Sequence, residues 1–130
     1  MSHEYQRSGI RPVRIAVVDD SQDAAELFTF CLRNKGYQTA RAFDGRSGLA
    51  LLSTLIPDVA LINYMMPFMF GTDMLMELRA DPRTAGMKVI INSASPRAER
   101  LAMEAGADAF LHVPFDMRRL IDTVNHMLGR

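Results

Sequence analysis

The chain of 130 residues contains one cysteine and no tryptophan, and its fifteen Lys plus Arg are matched by fifteen Asp plus Glu. A lone Cys31 cannot close an internal disulfide or build a multi-cysteine metal site. Helical spacing places it on an apolar stripe with Leu27 and Phe28, so it is expected in the core. Zero net charge removes the uniform basic field that nucleic-acid or anionic-membrane binding draws on. No apolar run approaches the ~20 residues of a membrane span. The start, MSHEYQRSGIRP, lacks the apolar segment of a signal peptide, so a cytoplasmic location is expected. Internal repeats, low-complexity stretches and linkers are also missing.

What is present is 48% hydrophobic residues, enough for one buried core and too short a chain for two. Residues 1–12 are polar and aperiodic and read as a loose tail, with the domain running over 13–130. From Val13 onward, short runs rich in Val, Ile and Ala alternate with stretches of helical periodicity, each switch marked by Gly, Pro, Asp or Ser. Strands are predicted at 14–18, 37–42, 59–63, 88–92 and 109–113. All but the second are nearly continuous apolar runs, as expected of strands covered on both faces. Ala24, Leu27, Phe28, Cys31 and Leu32 mark a first helix ending at Gly36. Further helices are predicted at 46–55 and 72–80, each stopped before a proline. Another opens with Ser95 as N-cap and Pro96 as first residue and runs to about Ala105 and Gly106. The last opens at Asp116, with Leu120, Ile121, Val124 and Leu128 facing the core. Five βα units with right-handed crossovers make an α/β, doubly wound, five-stranded parallel sheet.

Open α/β sheets bind ligands beyond the carboxyl ends of their strands, where the strand order reverses. Asp19, Asp20, Asn63, Ser93 and Val113 stand there. Two adjacent carboxylates with no neighbouring base repel each other unless a cation lies between them, and Mg²⁺ would suit them. The plainer alternative is that one caps the first helix and the other faces water.

The strings IAVVDDS, VALINYMMP with Gly71 four residues past its proline, VIINSAS and GADAFLHVPFD resemble the receiver domain of bacterial two-component response regulators, in the expected order over residues 13–128. The resemblance implies a flavodoxin-like (βα)5 sheet of order 2-1-3-4-5. It also implies an acidic pair binding Mg²⁺, an Asp at the end of the third strand that accepts phosphoryl from a histidine kinase, a Thr or Ser after the fourth strand, and a Lys before a cis proline. Asp19, Asp20 and Ser93 match this pattern, and Pro114 is the cis-proline candidate. The acceptor position is Asn63, whose neutral amide has no anionic oxygen with which to attack phosphorus. The lysine position is Val113, which cannot counter phosphoryl charge. The implied metal ligands are Asp20, Asn63 and the Met65 main-chain carbonyl, with Asp19 acting through water. With one anionic ligand gone, Mg²⁺ is expected to bind weakly at best, and no organic cofactor is implied.

A complete site carries three carboxylates and one ammonium, formally −2. Asp19 and Asp20 without the acceptor Asp or the Lys also total −2. This joint loss favours a naturally degenerate receiver over an introduced Asp-to-Asn change. His112 is no substitute cation, since adjacent strand residues face opposite sides.

The loop from Tyr64 to Gly71 is unusually apolar beside a charged pocket; Met66, Phe68, Met69 and Phe70 form either a packed lid or a docking patch. Phe110 occupies the family's switch-aromatic position, and with no phosphoryl group expected it reads as fixed packing. The face of the fourth helix, fifth strand and fifth helix, with Arg97, Arg100, Met103, Glu104, Arg118 and Asp122, is a family dimer surface or a solvated exterior. The reading is a non-enzymatic, phosphorylation-independent protein-interaction receiver. Its expected partner is a histidine kinase, phosphotransfer protein or output domain, or a second copy, rather than nucleic acid or membrane. The alternative is a phosphorelay receiver whose acceptor Asp at 63 was replaced. A flavin or nucleotide carrier fits poorly, because the loop Asp19-Asp20-Ser21-Gln22-Asp23 is acidic and lacks glycine.

Overall fold

A computed structural model describes residues 11–130. Strands β1 (Arg14–Val18), β2 (Gln38–Ala42), β3 (Val59–Asn63), β4 (Lys88–Ser93) and β5 (Ala109–His112) alternate with helices α1 (Gln22–Asn34), α2 (Gly45–Leu55), α3 (Gly71–Ala80), α4 (Ala98–Glu104) and α5 (Met117–Met127). The strands form one parallel sheet of order β2-β1-β3-β4-β5. This is the doubly wound parallel sheet that the alternation predicts, in the flavodoxin-like order that the resemblance implies.

The apolar runs are buried on both faces because helices cover both. Ile15, Val17, Leu61, Ile90 and Leu111 pack with Phe28, Leu32, Leu120 and Val124 of α1 and α5. On the other face Ala16, Val18, Ile62 and Ile91 pack with Leu52, Met74, Leu78 and Ala102 of α2, α3 and α4. Strand β2 lies at an edge and is the polar exception, QTARA, with only Ala42 buried. Side-chain caps start three helices: Ser21 accepts from Ala24 N, Asp44 from Ser47 N and Asp116 from Arg119 N.

One helix face and one helix start differ most from the sequence reading. The buried face of α1 is Ala25, Phe28, Thr29 and Leu32, while Leu27 is 49% exposed and Cys31 is only half-buried. Thr29 enters the core because its hydroxyl donates to the Ala25 carbonyl (2.9 Å), so a stripe drawn through apolar residues alone is rotated off the true one. Helix α4 starts at Ala98, because Ser95 O receives Ala98 N (3.2 Å) and Pro96-Arg97 form a turn ahead of the helix. It ends at Glu104, and the chain turns at Gly106 with φ +105°.

Residues 1–10 of the expected tail lie outside the described residues. Its last members, Arg11 and Pro12, are described, and the Arg11 guanidinium grips both Asp58 oxygens (2.6 and 3.1 Å), a two-point match between fork and carboxylate that anchors this stretch.

Candidate functional site

The carboxyl ends of β1, β3 and β4 bring Asp19, Asp20, Asn63 and Ser93 to one edge of the sheet, with Val113 just beyond β5. Parallel pairing puts Asn63 level with Asn92, and Val18 level with Ile62 one step before Asp19 and Asn63. Asp19, Asn63 and Asn92 therefore form a row on the face covered by α1 and α5. An open groove of about 890 Å³ runs over this edge, lined by Asp20, Asn63, Met65, Phe70, Ser93 and Val113 among others.

Asp19 is 5% exposed, and its Oδ1 accepts the Ser21 N–H at 2.9 Å. Burial pushes its carboxyl pKa up, the Ser21 bond opposes that, and the Asp20 charge adds to it. Asp20 is exposed. The side-chain nitrogen of Asn63 donates to Asp20 Oδ1 and to the Met65 carbonyl, both at 3.0 Å. These are the acceptors that the resemblance assigns to a metal ion. The opposite amide orientation would set an oxygen against a carboxylate and a carbonyl, so the hydrogen bonds fix the orientation.

The residues present do not fit a divalent ion. Its two protein oxygens are bridged by an N–H₂ group, and the third candidate ligand is neutral. Among the described residues no group of three or more His, Cys, Asp or Glu could hold a metal.

Ser93 is buried, and its hydroxyl accepts the Ser95 N–H at 3.0 Å. The Val113–Pro114 peptide is cis, and the Val113 side chain is exposed. Phe110 is buried, with its ring centroid 4.9 Å from that of His112, whose Nε2 lies 2.9 Å from Glu99 Oε1. His112 thus points to α4 and away from Asn63.

The apolar loop divides. Met66 is buried, and Met69 is half-buried against Gly45, where an added Cβ would come within 2.8 Å of its side chain. Both belong to the lid, which removes them from the expected docking patch. Phe68 is fully exposed at φ +69°, and Met65 and Phe70 are exposed, with Phe70 stacked 5.3 Å from Tyr64. Gly71 fixes the turn: a Cβ there would lie 2.5 Å from the Asn63 carbonyl oxygen.

Sequence reasoning passed over Asn92. It is 2% exposed, and its Nδ2 has no hydrogen-bond partner among the described residues. The signal was a lone amide in the run VIIN, read only as the end of a strand. In the α4, β5 and α5 face, Arg100 approaches Glu104 at 4.0 Å, and Met103 and Leu101 are exposed.

A parallel 2-1-3-4-5 sheet with an acidic pair at its switch point defines a receiver-type signalling domain. The chain belongs to the response regulator receiver domain family, which matches residues 15–125. It is 36% identical over 119 residues to the DNA-binding response regulator MtrA of Mycobacterium leprae, covering 90% of this chain and 52% of the relative. The chain thus spans about half the length of the curated relatives it matches. Among solved structures it resembles a response regulator of Chloroflexus aurantiacus (27% identical, TM-score 0.86, 92% of this chain and 100% of that one). It also resembles a Francisella response regulator receiver domain (33% identical, TM-score 0.82, 92% and 98%).

Proposed function

We propose that this receiver works as a phosphorylation-independent protein-interaction module and catalyses no reaction of its own. The observation that carries the reading is the Asn63 amide spanning Asp20 and the Met65 carbonyl. An acceptor must present an anionic oxygen to phosphorus with charge neutralised around it. Here the acceptor side chain is neutral, its nitrogen is turned into the acidic pocket, and Val113 supplies no ammonium. No step of phosphoryl transfer can be written through this arrangement, and Mg²⁺ has little to gain from it.

The same balance of fifteen basic and fifteen acidic residues supports contact with protein rather than nucleic acid for this domain. The DNA binding named for the mycobacterial relative stays with that protein. No helix among the described residues is long and apolar enough to cross a membrane.

One set of observations favours a second reading: Asp19, Asp20, Ser93 and the cis peptide before Pro114 are all in place, so an Asp at 63 would complete much of a phosphoacceptor site. Intact mass after incubation with acetyl phosphate and Mg²⁺, with the native chain beside Asn63→Asp, decides between them. The native chain is expected to gain nothing. A phosphoryl adduct on it overturns the proposal, and an adduct on the variant alone shows that Val113 is tolerated and that Asn63 is the block.

A further inference from the structure

Resting on that reading, we infer that the groove at the carboxyl edge takes a segment of another protein in which a large apolar side chain stands within a few residues of an arginine. Among the described residues its ionisable lining is one carboxylate, Asp20, with Asp19 next to it in sequence, and no Lys, Arg or His lines it. Asn63 satisfies one Asp20 oxygen by a neutral hydrogen bond and cancels no charge. Much of the remaining lining is apolar, with Met65, Phe70 and Val113 exposed, and Phe68, next in sequence to the lining residue Pro67, projects fully into solvent.

Phe68 holds a left-handed backbone that a residue with a Cβ enters at a cost, and there it displays an aromatic ring to water. A groove with a carboxylate on one side and an aromatic and aliphatic wall on the other is complementary in charge and polarity to an arginine with an apolar neighbour. Guanidinium is weakly hydrated, forks onto a carboxylate and stacks on rings, which ammonium does less well. The cation that Val113 fails to provide in the chain would then arrive from the partner. A second copy could also offer Arg97, Arg100 and Leu101, and self-association is therefore read as a separate outcome of the test.

The test selects twelve-residue peptides from a random phage-displayed library on the full native chain at low salt, then measures the winners in solution. The expected winners carry Arg close to Phe, Leu, Met or Trp and lose affinity at least tenfold on Asp20→Asn and on Val113→Lys, where a lysine in the chain takes the place of the incoming cation. Phe68→Ser weakens them several-fold, and Phe30→Ser on the exposed side of α1 leaves them unchanged. Circular dichroism of each variant confirms folding. Winners without a basic residue, winners indifferent to Val113→Lys, winners lost on Phe30→Ser, no winners at all, or self-association abolished by Phe68→Ser each overturn the inference. The acetyl phosphate experiment reads the underlying functional proposal separately, whatever the peptides do.

Discussion

At the amino-terminal edge of the sheet Asp58 and Asp108 each meet an arginine, whereas at the carboxyl edge Asp19 and Asp20 meet none among the described residues. The two amino-edge carboxylates are used alike. Asp58 accepts Arg14 N at 2.9 Å and gives its own N–H to Arg14 O, while Arg11 closes on its oxygens. Asp108 accepts Val89 N at 2.8 Å and gives its N–H to Val89 O, while Arg79 closes on it at 2.9 Å. Each staple locks the entry of one strand onto its neighbour. At the other edge the polar groups are left partly idle: Asn92 Nδ2 is unpartnered among the described residues, and Asp19 is held in a place that disfavours its charge. Charge at one end is spent on holding the sheet together, and charge at the other remains available to something outside the chain.

The largest expected break in this comparison is Arg79→Ala. That guanidinium donates to the carbonyls of Gly106, Ala85 and Met87 as well as to Asp108. Its removal takes the donor from several acceptors at once, the Ala85 and Met87 carbonyls among them partly buried, so urea unfolding should show a loss of about 2–4 kcal/mol. A loss below about 1 kcal/mol would mean that water replaces the arginine freely and that the amino edge is no staple.

A smaller break is Asp58→Asn. Burial opposes ionisation of Asp58, but the hydrogen bonds from Arg11 and Arg14 N and their charges outweigh it and hold the pKa below the usual carboxylate range. A depressed pKa contributes stability that is present above the unfolded value of about 3.9 and lost as pH falls through the folded value. The variant should therefore be less stable by about 1 kcal/mol at pH 7, since Arg11 is largely exposed, and the gap should close as pH falls through the folded value. Thermal unfolding across that range reads it, and a gap independent of pH would assign the effect to packing.

How far these edges were legible in the sequence follows from the range of the interactions. The strands, their order and the acidic pair are written in local runs and in the family's motifs, and the helix caps Ser21, Asp44 and Asp116 sit at their helix starts. The staples join residues 47 and 29 apart and have no local signature. Arg11 read as tail for that reason. Asn63 was legible as a departure, yet only the fold shows its nitrogen turned toward Asp20 and Met65. The loop read as one apolar patch because composition does not say which side chains turn inward; Met66 and Met69 do, and Phe68 does not.

The finest test of the comparison is Asp19→Asn, where the sign reverses. Burial lifts the Asp19 pKa above its unfolded value, so between the two values the folded chain binds more protons than the unfolded one. Stability then falls as pH rises through that window, and the penalty is complete above the folded pKa. Asparagine keeps an oxygen for Ser21 N but never ionises. In the presence of a chelator the variant should gain up to about 1 kcal/mol at pH 7, with the gain fading below about pH 4. A loss at pH 7 would mean that the carboxylate is wanted in its charged form by the chain itself. The carboxyl edge would then be held by its charge as the amino edge is, and the contrast between the two would fail. A gain that Mg²⁺ abolishes by stabilising the native chain more than the variant would show that a cation can still displace the Asn63 amide from Asp20.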